Sequence, residues 1–256
     1  MTRKYVEIHR SHDEYGPIRV MQHQQRRILC FETQVEQSAI DIDRPYRLVH
    51  HYTQAMMLGL LLVPHSPDIT VLGLGGGSLA SALIHHFPDC RVDAVEQRAS
   101  VTDIARQWFQ LPESERLTLH VQEASDYLKA PPRPQDLILT DLYHGIGMDR
   151  DQGEKAFLKA CRQALKPDGV LVLNLWSEDF EESRALRRRL DAVFEDRVIS
   201  TSVPGGNIIA MAFNGYLPSL VRRDFLKNAQ DLGQRMDIPL QRYARTLWYE
   251  NHERLP

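Results

Sequence analysis

The sequence predicts an α/β fold, with a mostly parallel sheet of seven strands that ends in an antiparallel hairpin, behind a small N-terminal antiparallel β-domain. Three observations predict it. A strand, a glycine turn and a helix follow one another from Ile69 to Ala80 (I-T-V-L-G-L-G-G-G-S-L-A). An acidic residue, Glu96, closes the next strand about 20 residues further on. From Ile69 onward apolar strands alternate with amphipathic helices, and the last two strands flank P-G-G, a turn signal.

In the opening unit Ile69, Val71 and Leu72 suit a buried strand. Gly73, Gly75, Gly76 and Gly77 let the chain turn and let a ligand approach the backbone without meeting a Cβ. Ser78 opens a helix in which Leu79, Leu83 and Ile84 face the sheet, so the helix N-terminus points at the ligand. The next strand, Cys90 to Glu96, sets the Glu96 carboxylate where it can accept hydrogen bonds from both hydroxyls of a ribose. This is a Rossmann-like unit, and it calls for an adenosine-containing ligand.

Residues 1–43 read as the N-terminal β-domain, with strands at Ile18–Met21, Arg27–Phe31 and Thr33–Gln37. Pro45 begins a helical segment that runs to Leu62 and places Leu48, Tyr52, Met56 and Leu60 on one face. In the main domain, 44–215, the remaining helices fall at Ser100–Phe109, Glu154–Leu165 (ended by K-P-D-G) and Glu181–Phe194. Strands fall at Leu117–Val121, Asp136–Thr140, Val170–Leu175, Arg197–Ser202 and Asn207–Phe213. Residues 216–256, with Leu220, Phe225, Leu232, Leu240 and Trp248 among arginines, read as helices packed on the domain or on a second subunit.

Composition narrows the partners. A net charge of -3 and a pI near 6.4 give no reason to expect nucleic acid or an anionic membrane. Cys30, Cys90 and Cys161 lack a C-x-x-C and read as reduced thiols. The N-terminus lacks the apolar core of a signal peptide, and the apolar run Ala55–Val63 is too short to span a bilayer, so a cytoplasmic protein is expected. The pairs His50-His51 and His85-His86 are adjacent, so neither shares a helix face, and no metal is expected.

Several motifs together resemble the spermidine synthase (polyamine aminopropyltransferase) family, over roughly Tyr15 to Phe213. V-L-G-L-G-G-G-S resembles that family's strand followed by G-G-G-D-G-G; V-E-Q-R-A-S-V resembles V-E-I-D-x-x-V; V-Q-E-A-S-D-Y-L resembles V-G-D-G-x-x-F-L. D-L-I-L-T-D-L-Y-H resembles D-V-I-I-x-D-S-S-D, and A-L-K-P-D-G-V-L-V-L is shared with methyltransferases generally. Y-G-P-I-R-V and E-Q-S resemble the N-terminal strand domain, and H-H-Y-T-Q-A-M more loosely resembles the helix carrying Y-H-E-M. The implied fold is that of S-adenosylmethionine-dependent methyltransferases.

The resemblance implies aminopropyl transfer from decarboxylated S-adenosylmethionine to a small amine, a polyamine, without metal and in a homodimer. It implies that Gly73, Gly75, Gly76, Gly77 and Ser78 pass the donor's tail, that Glu96 binds its ribose, and that Glu123 with Ala124 reads the adenine. Gln37 and Gln54 would touch the nucleoside or its side chain. Asp141, at the end of the fourth strand, would be the general base, with Tyr143, His144 and Tyr52 on the acceptor's side and Leu142 to Gly153 as a lid.

Departures from the pattern bear on the substrate. The family's donor-amine Asp is Ser78 here, the second Asp of D-S-S-D is His144, two glycines are Leu79 and Ala80, and an Asp after the ribose glutamate is Arg98. A Ser at a helix N-terminus tolerates a carboxylate, so S-adenosylmethionine itself is a second donor. The alternatives are therefore a methyltransferase on the same fold, using Asp141 or Tyr143-His144, and a non-catalytic nucleoside-binding protein. A hydrolase elbow at Gly76–Ala80 is set aside, because its final glycine is missing and Glu96 would have no role.

Overall fold

The computed structural model describes residues 5–32, 35–64, 67–144, 147–148, 151–175 and 180–255. Four strands come first: β1 (Val6–Asp13), β2 (Gly16–His23), β3 (Arg26–Cys30) and β4 (Glu36–Asp41), paired antiparallel in chain order. The sequence reading named no strand over β1 and began the last one too early; residues 33–34 of that stretch lie outside the described ones. Turns then carry the chain through Arg44 and Arg47, and α1 (His51–Met56) starts six residues later than Pro45 suggests, running on as a 3-10 turn to Leu61. Over this stretch Arg44 bridges back to Asp41, and Arg44 and Arg47 pair with Asp237, far along the chain.

The main sheet then builds from β5 (Asp68–Leu72), α2 (Ser78–His86), β6 (Arg91–Glu96), α3 (Ala99–Trp108), β7 (Leu117–Val121), α4 (Ala124–Lys129) and β8 (Gln135–Thr140). A two-residue pair, β9 (Tyr143–His144) and β10 (Gly147–Met148), precedes α5 (Lys155–Ala164) and β11 (Leu165–Leu175). After α6 (Phe180–Phe194) come β12 (Val198–Ser202) and β13 (Ile208–Phe213), then α7 (Arg222–Met236) and α8 (Leu240–Asn251). The order is β12-β13-β11-β8-β5-β6-β7, parallel from β7 to β11 and antiparallel at β13 and β12. The predicted fold class is the observed one.

K-P-D-G does end α5, but within the strand rather than ahead of it. The register of β11 against β8 breaks between Leu165 and Val170, so Lys166–Gly169 form an irregularity that starts the strand early.

Period-two alternation buries both sheet faces. Ile69, Val71, Leu137, Leu139, Val170 and Val172 join the core under α1, α2, α7 and α8. Leu72, Ile138, Leu171 and Leu173 join the core under α4, α5 and α6. The N-terminal sheet docks on α3 through Ile18, Val20, Leu29, Phe31 and Ile40 against Val101, Ile104 and Phe109. That docking closes one wall of the cleft at the carboxyl ends of the parallel strands, where ligands bind in such sheets. The C-terminal helices pack on the same chain: α8 lies along β12, and Asn251 exchanges hydrogen bonds with Ser200 N (3.2 Å) and Ser200 O (2.7 Å). The free edge of the sheet is thus capped by side chains.

Candidate active site

A cavity of about 830 Å³ opens at the carboxyl ends of β5, β6, β8 and β11, under the N-terminal sheet. The steep turn after β5 creates it. Gly73 sits at φ +92°, and a Cβ there would lie 2.3 Å from the Asp141 carbonyl oxygen, so only glycine lets the ends of β5 and β8 come this close. Gly75 and Ser78 line the cavity with Gly73. Gly76 and Gly77 do not. A Cβ on Gly76 would meet Phe109 at 2.7 Å and Ser38 Oγ at 2.8 Å, and one on Gly77 would meet Leu111 at 2.5 Å. Their small size admits Phe109, Ser38 and Leu111.

Glu96, at the end of β6, projects into the cavity and accepts backbone hydrogen bonds from Leu74 (3.2 Å), Gly75 (3.3 Å) and Arg98 (3.0 Å). Burial raises its pKa, and those three N–H groups work against the rise. One carboxylate therefore sets the shape of the glycine turn as well as the polarity of the pocket. Glu123 and Ala124, at the start of α4, stand along the same wall. Gln37 lines the opposite, N-terminal side.

Asp141 follows β8 and lies on the floor. Its Oδ1 accepts from Asn174 Nδ2 at 2.8 Å, and the Tyr52 hydroxyl donates to the same carboxylate. Burial raises the Asp141 pKa; the bonds from Asn174 and Tyr52 and the nearby His50 ring oppose the rise. Burial and the adjacent Asp141 charge push Tyr52 and Tyr143 well up, so both stay protonated donors. Tyr143 lines the cavity, and its hydroxyl donates to Asn174 O at 3.4 Å. The side chain of His144 lies outside the described residues, as do residues 145–146 and 149–150 of the expected lid.

Gln54 is not brought here. Its Nε2 donates to Leu48 O (2.9 Å) and its Oε1 accepts from Tyr243 of α8 (2.9 Å), because a two-residue step, roughly 200° around the helix, turns it away from the face of Tyr52. Arg98 explains its own departure from the family pattern. It is a buried partner of Asp13 (2.7 and 3.1 Å), donates to Gly16 O, and lies over the rings of Phe31 and Tyr15, so it ties the β1–β2 turn onto the pocket.

Sequence reasoning missed Asn174, Asn207 and the Glu36–His50 pair. Asn174, the one polar residue in V-L-V-L-N-L, and Asn207, just after P-G-G, left a legible signal in their apolar and turn settings. Glu36 Oε1 meets His50 Nε2 at 2.6 Å and also pairs with Arg26, contacts between distant segments that no local pattern reveals. Among the described lining residues the charged groups are Glu32, Glu36, Glu96, Glu123 and Asp141 against Arg98; Asp13 pairs with Arg98 as Arg26 and His50 pair with Glu36, so acidic groups still outnumber basic ones. The cavity is acidic.

Residues 50–201, more than half of the chain, match the spermine/spermidine synthase domain. The chain belongs to that family. A polyamine aminopropyltransferase of Neisseria meningitidis is 37% identical over 198 residues, spanning 76% of this chain and 74% of the relative. Human methyltransferase-like protein 13, solved in complex with SAH, is 28% identical with a TM-score of 0.65, over 75% of this chain and 94% of that one. A spermidine synthase solved with the transition-state analogue AdoDATO shares the fold at 17% identity, with a TM-score of 0.76 over 94% of this chain and 84% of that one. Membership makes the chain a transferase, with aminopropyl transfer the activity named for polyamine aminopropyltransferase relatives such as that of Neisseria meningitidis. Among the described residues no group of His, Cys, Asp or Glu is placed to hold a metal ion, and no helix is long and apolar enough to cross a membrane.

Proposed function

We propose that this protein moves an aminopropyl group from decarboxylated S-adenosylmethionine to a small amine, with Asp141 as the general base. The observation that carries the reading is the acidic cavity with Asp141 on its floor, buried enough to raise its pKa and oriented by Asn174 and Tyr52. A sulfonium donor and an amine acceptor are both cationic, and such a cavity suits both. The amine nitrogen's lone pair attacks the methylene next to sulfur, the C–S bond breaks, and its electron pair leaves on sulfur as a neutral thioether. No anion needs stabilising. The protein must hold the reactants in line and take the proton from the acceptor's reacting nitrogen so that its lone pair is free to attack, the role of Asp141, whose raised pKa brings it closer to the working pH of a base.

Glu96 would hold the ribose, Glu123 and Ala124 the adenine edge, Gln37 the far side of the nucleoside, and Gly73, Gly75 and Ser78 the donor's tail. Tyr52, Tyr143 and His144 would border the acceptor. In this reading residues 1–43 wall the nucleoside, 44–215 carry the chemistry and 216–256 support the sheet, in a cytoplasmic homodimer.

Ser78 favours one rival. A hydroxyl, not a carboxylate, lines the cavity at the N-terminus of α2, which suits the carboxylated donor of a methyltransferase. Calorimetric binding of S-adenosylmethionine, its decarboxylated form and methylthioadenosine, side by side, decides. Tighter binding of the decarboxylated form, with turnover of 1,4-diaminobutane that is lost in Asp141→Asn, is the expected result. Preference for the carboxylated donor would move the protein to methyl transfer, and binding of none would favour a non-catalytic protein or a different ligand altogether.

A further inference from the structure

Asn174 joins four parts of the site. Its side chain donates from Nδ2 to Asp141 Oδ1 (2.8 Å), and its Oδ1 accepts from Asn207 Nδ2 (2.9 Å). Its carbonyl oxygen accepts from the Tyr143 hydroxyl (3.4 Å) and from Gln152 Nε2 (3.5 Å), one residue at each end of the loop after β8. Only 1% of Asn174 is exposed, so in the folded chain its hydrogen bonds are made to protein groups.

The geometry also fixes the direction of this chain of bonds. An ionised carboxylate only accepts, so the Asn174 amide must turn its NH2 toward Asp141. Its oxygen then faces the β12–β13 hairpin, and a buried amide oxygen needs a donor there. Asn207 supplies one. An apolar side chain at that place would take away the Asn207 donor to the Asn174 oxygen and leave the amide held from the Asp141 side alone.

We propose that Asn207 is a positioning residue for Asp141 that acts through Asn174, so that the β12–β13 hairpin sets the orientation and proton affinity of the carboxylate it never touches. The catalytic meaning of this relay rests on Asp141 being the base; the relay itself does not. Among the described residues the other groups facing Asp141 are Tyr52 from α1, Tyr143 from the loop after β8, and His50 with its partner Glu36. Asn207 also reaches the Tyr143 hydroxyl, which gives it one alternative route to the site.

The test is a titration of the Asp141 carboxyl, followed by its 13C chemical shift in protein labelled at aspartate and assigned with Asp141→Asn. The wild type is compared with N207A, N174A, the double variant and Y143F. Removing Asn174 takes away a hydrogen bond that favours the charged form, so the midpoint should rise by on the order of one pH unit in N174A. N207A should raise it by a smaller step, and the double variant should match N174A, because Asn207 has nothing to act on once Asn174 is gone. Y143F should not reproduce the N207A shift. The inference is overturned by an unmoved midpoint in N207A, by an equal N207A step with and without Asn174, or by a Y143F shift matching that of N207A. Should N174A fail to fold, the comparison of N207A with Y143F still decides. Turnover surviving in Asp141→Asn sinks the assignment of the base instead, and is read separately.

Discussion

Replacing Gly73 by alanine tests whether the close approach of β5 and β8 builds the site. The added Cβ would lie 2.3 Å from the Asp141 carbonyl oxygen and 2.9 Å from its carbon. An ordinary contact is about 3.5 Å, so the Asp141 backbone must recede by about 1 Å. It cannot do so freely, because Asp141 N donates to Leu72 O at 2.9 Å at the end of the ladder between these strands. The backbone at φ +92° adds its own strain for any residue with a Cβ. Strain of about 1–3 kcal/mol and overpacking of about 1–3 kcal/mol together lower stability by about 2–6 kcal/mol. For a chain of this size that is a fall in Tm of roughly 5–20 °C. With Asp141 as the proposed base, its displacement by about 1 Å should also cost on the order of 100-fold in turnover. Gly75→Ala is the control: its φ of +53° is left-handed, but the nearest neighbour of the added Cβ is Ser38 at 3.6 Å, so strain acts without a clash. Calorimetric melting and steady-state turnover are the assays. A Gly73→Ala protein that melts and turns over like the wild type would refute the reasoning.

Four other outcomes follow from the same structure. Glu96→Ala should weaken binding of methylthioadenosine by about 1–3 kcal/mol, the scale of hydrogen bonds to a charged group, and unchanged calorimetric affinity would remove Glu96 from the ribose site. Asp141→Asn should melt no lower than the wild type near pH 7.5. The raised Asp141 pKa means that ionisation opposes folding, a cost absent at low pH and growing as pH rises through the native value, so the advantage of the Asn variant should grow with pH. Lys166→Met should destabilise at neutral pH. Burial tends to raise the Asp68 pKa, but Lys166, Arg91 and Arg133 together hold it below the usual range, so this stabilisation is present above the unfolded-state value and fades as acid protonates the native carboxylate. A Lys166→Met deficit as large in acid as at pH 7 would contradict that. Asn251→Ala should lower stability by about 1–3 kcal/mol through the unpaired Ser200 backbone groups, read by denaturant midpoint; an unmoved midpoint would show that α8 does not cap the edge.

Much of this protein is legible along the chain, because the relevant forces are local. Alternating apolar residues, the glycine turn after Leu72, Glu96 closing the next strand and P-G-G before Asn207 specify strands, helices and the antiparallel finish, and the sheet follows from their order. Asp141 was legible for the same reason: a carboxylate at the end of a parallel strand faces the cleft. Local pattern failed where the deciding contact lies far away in sequence. Four glycines look alike in V-L-G-L-G-G-G-S, yet two line the cavity and two make room for Phe109, Ser38 and Leu111. Gln54 is two residues from Tyr52, so helix geometry sets them on different faces, but only the packing of α1 between the sheet and α8 decides that Tyr52 meets Asp141 and Gln54 meets Tyr243. Arg98 reads as a lost acid until Asp13 is seen beside it, 85 residues away in the chain. The sequence by itself determined the elements, their order and the acidic residues that face a cleft. The tertiary structure decided which neighbours each of those residues meets, because burial and hydrogen-bond direction depend on segments brought together only by the folded chain.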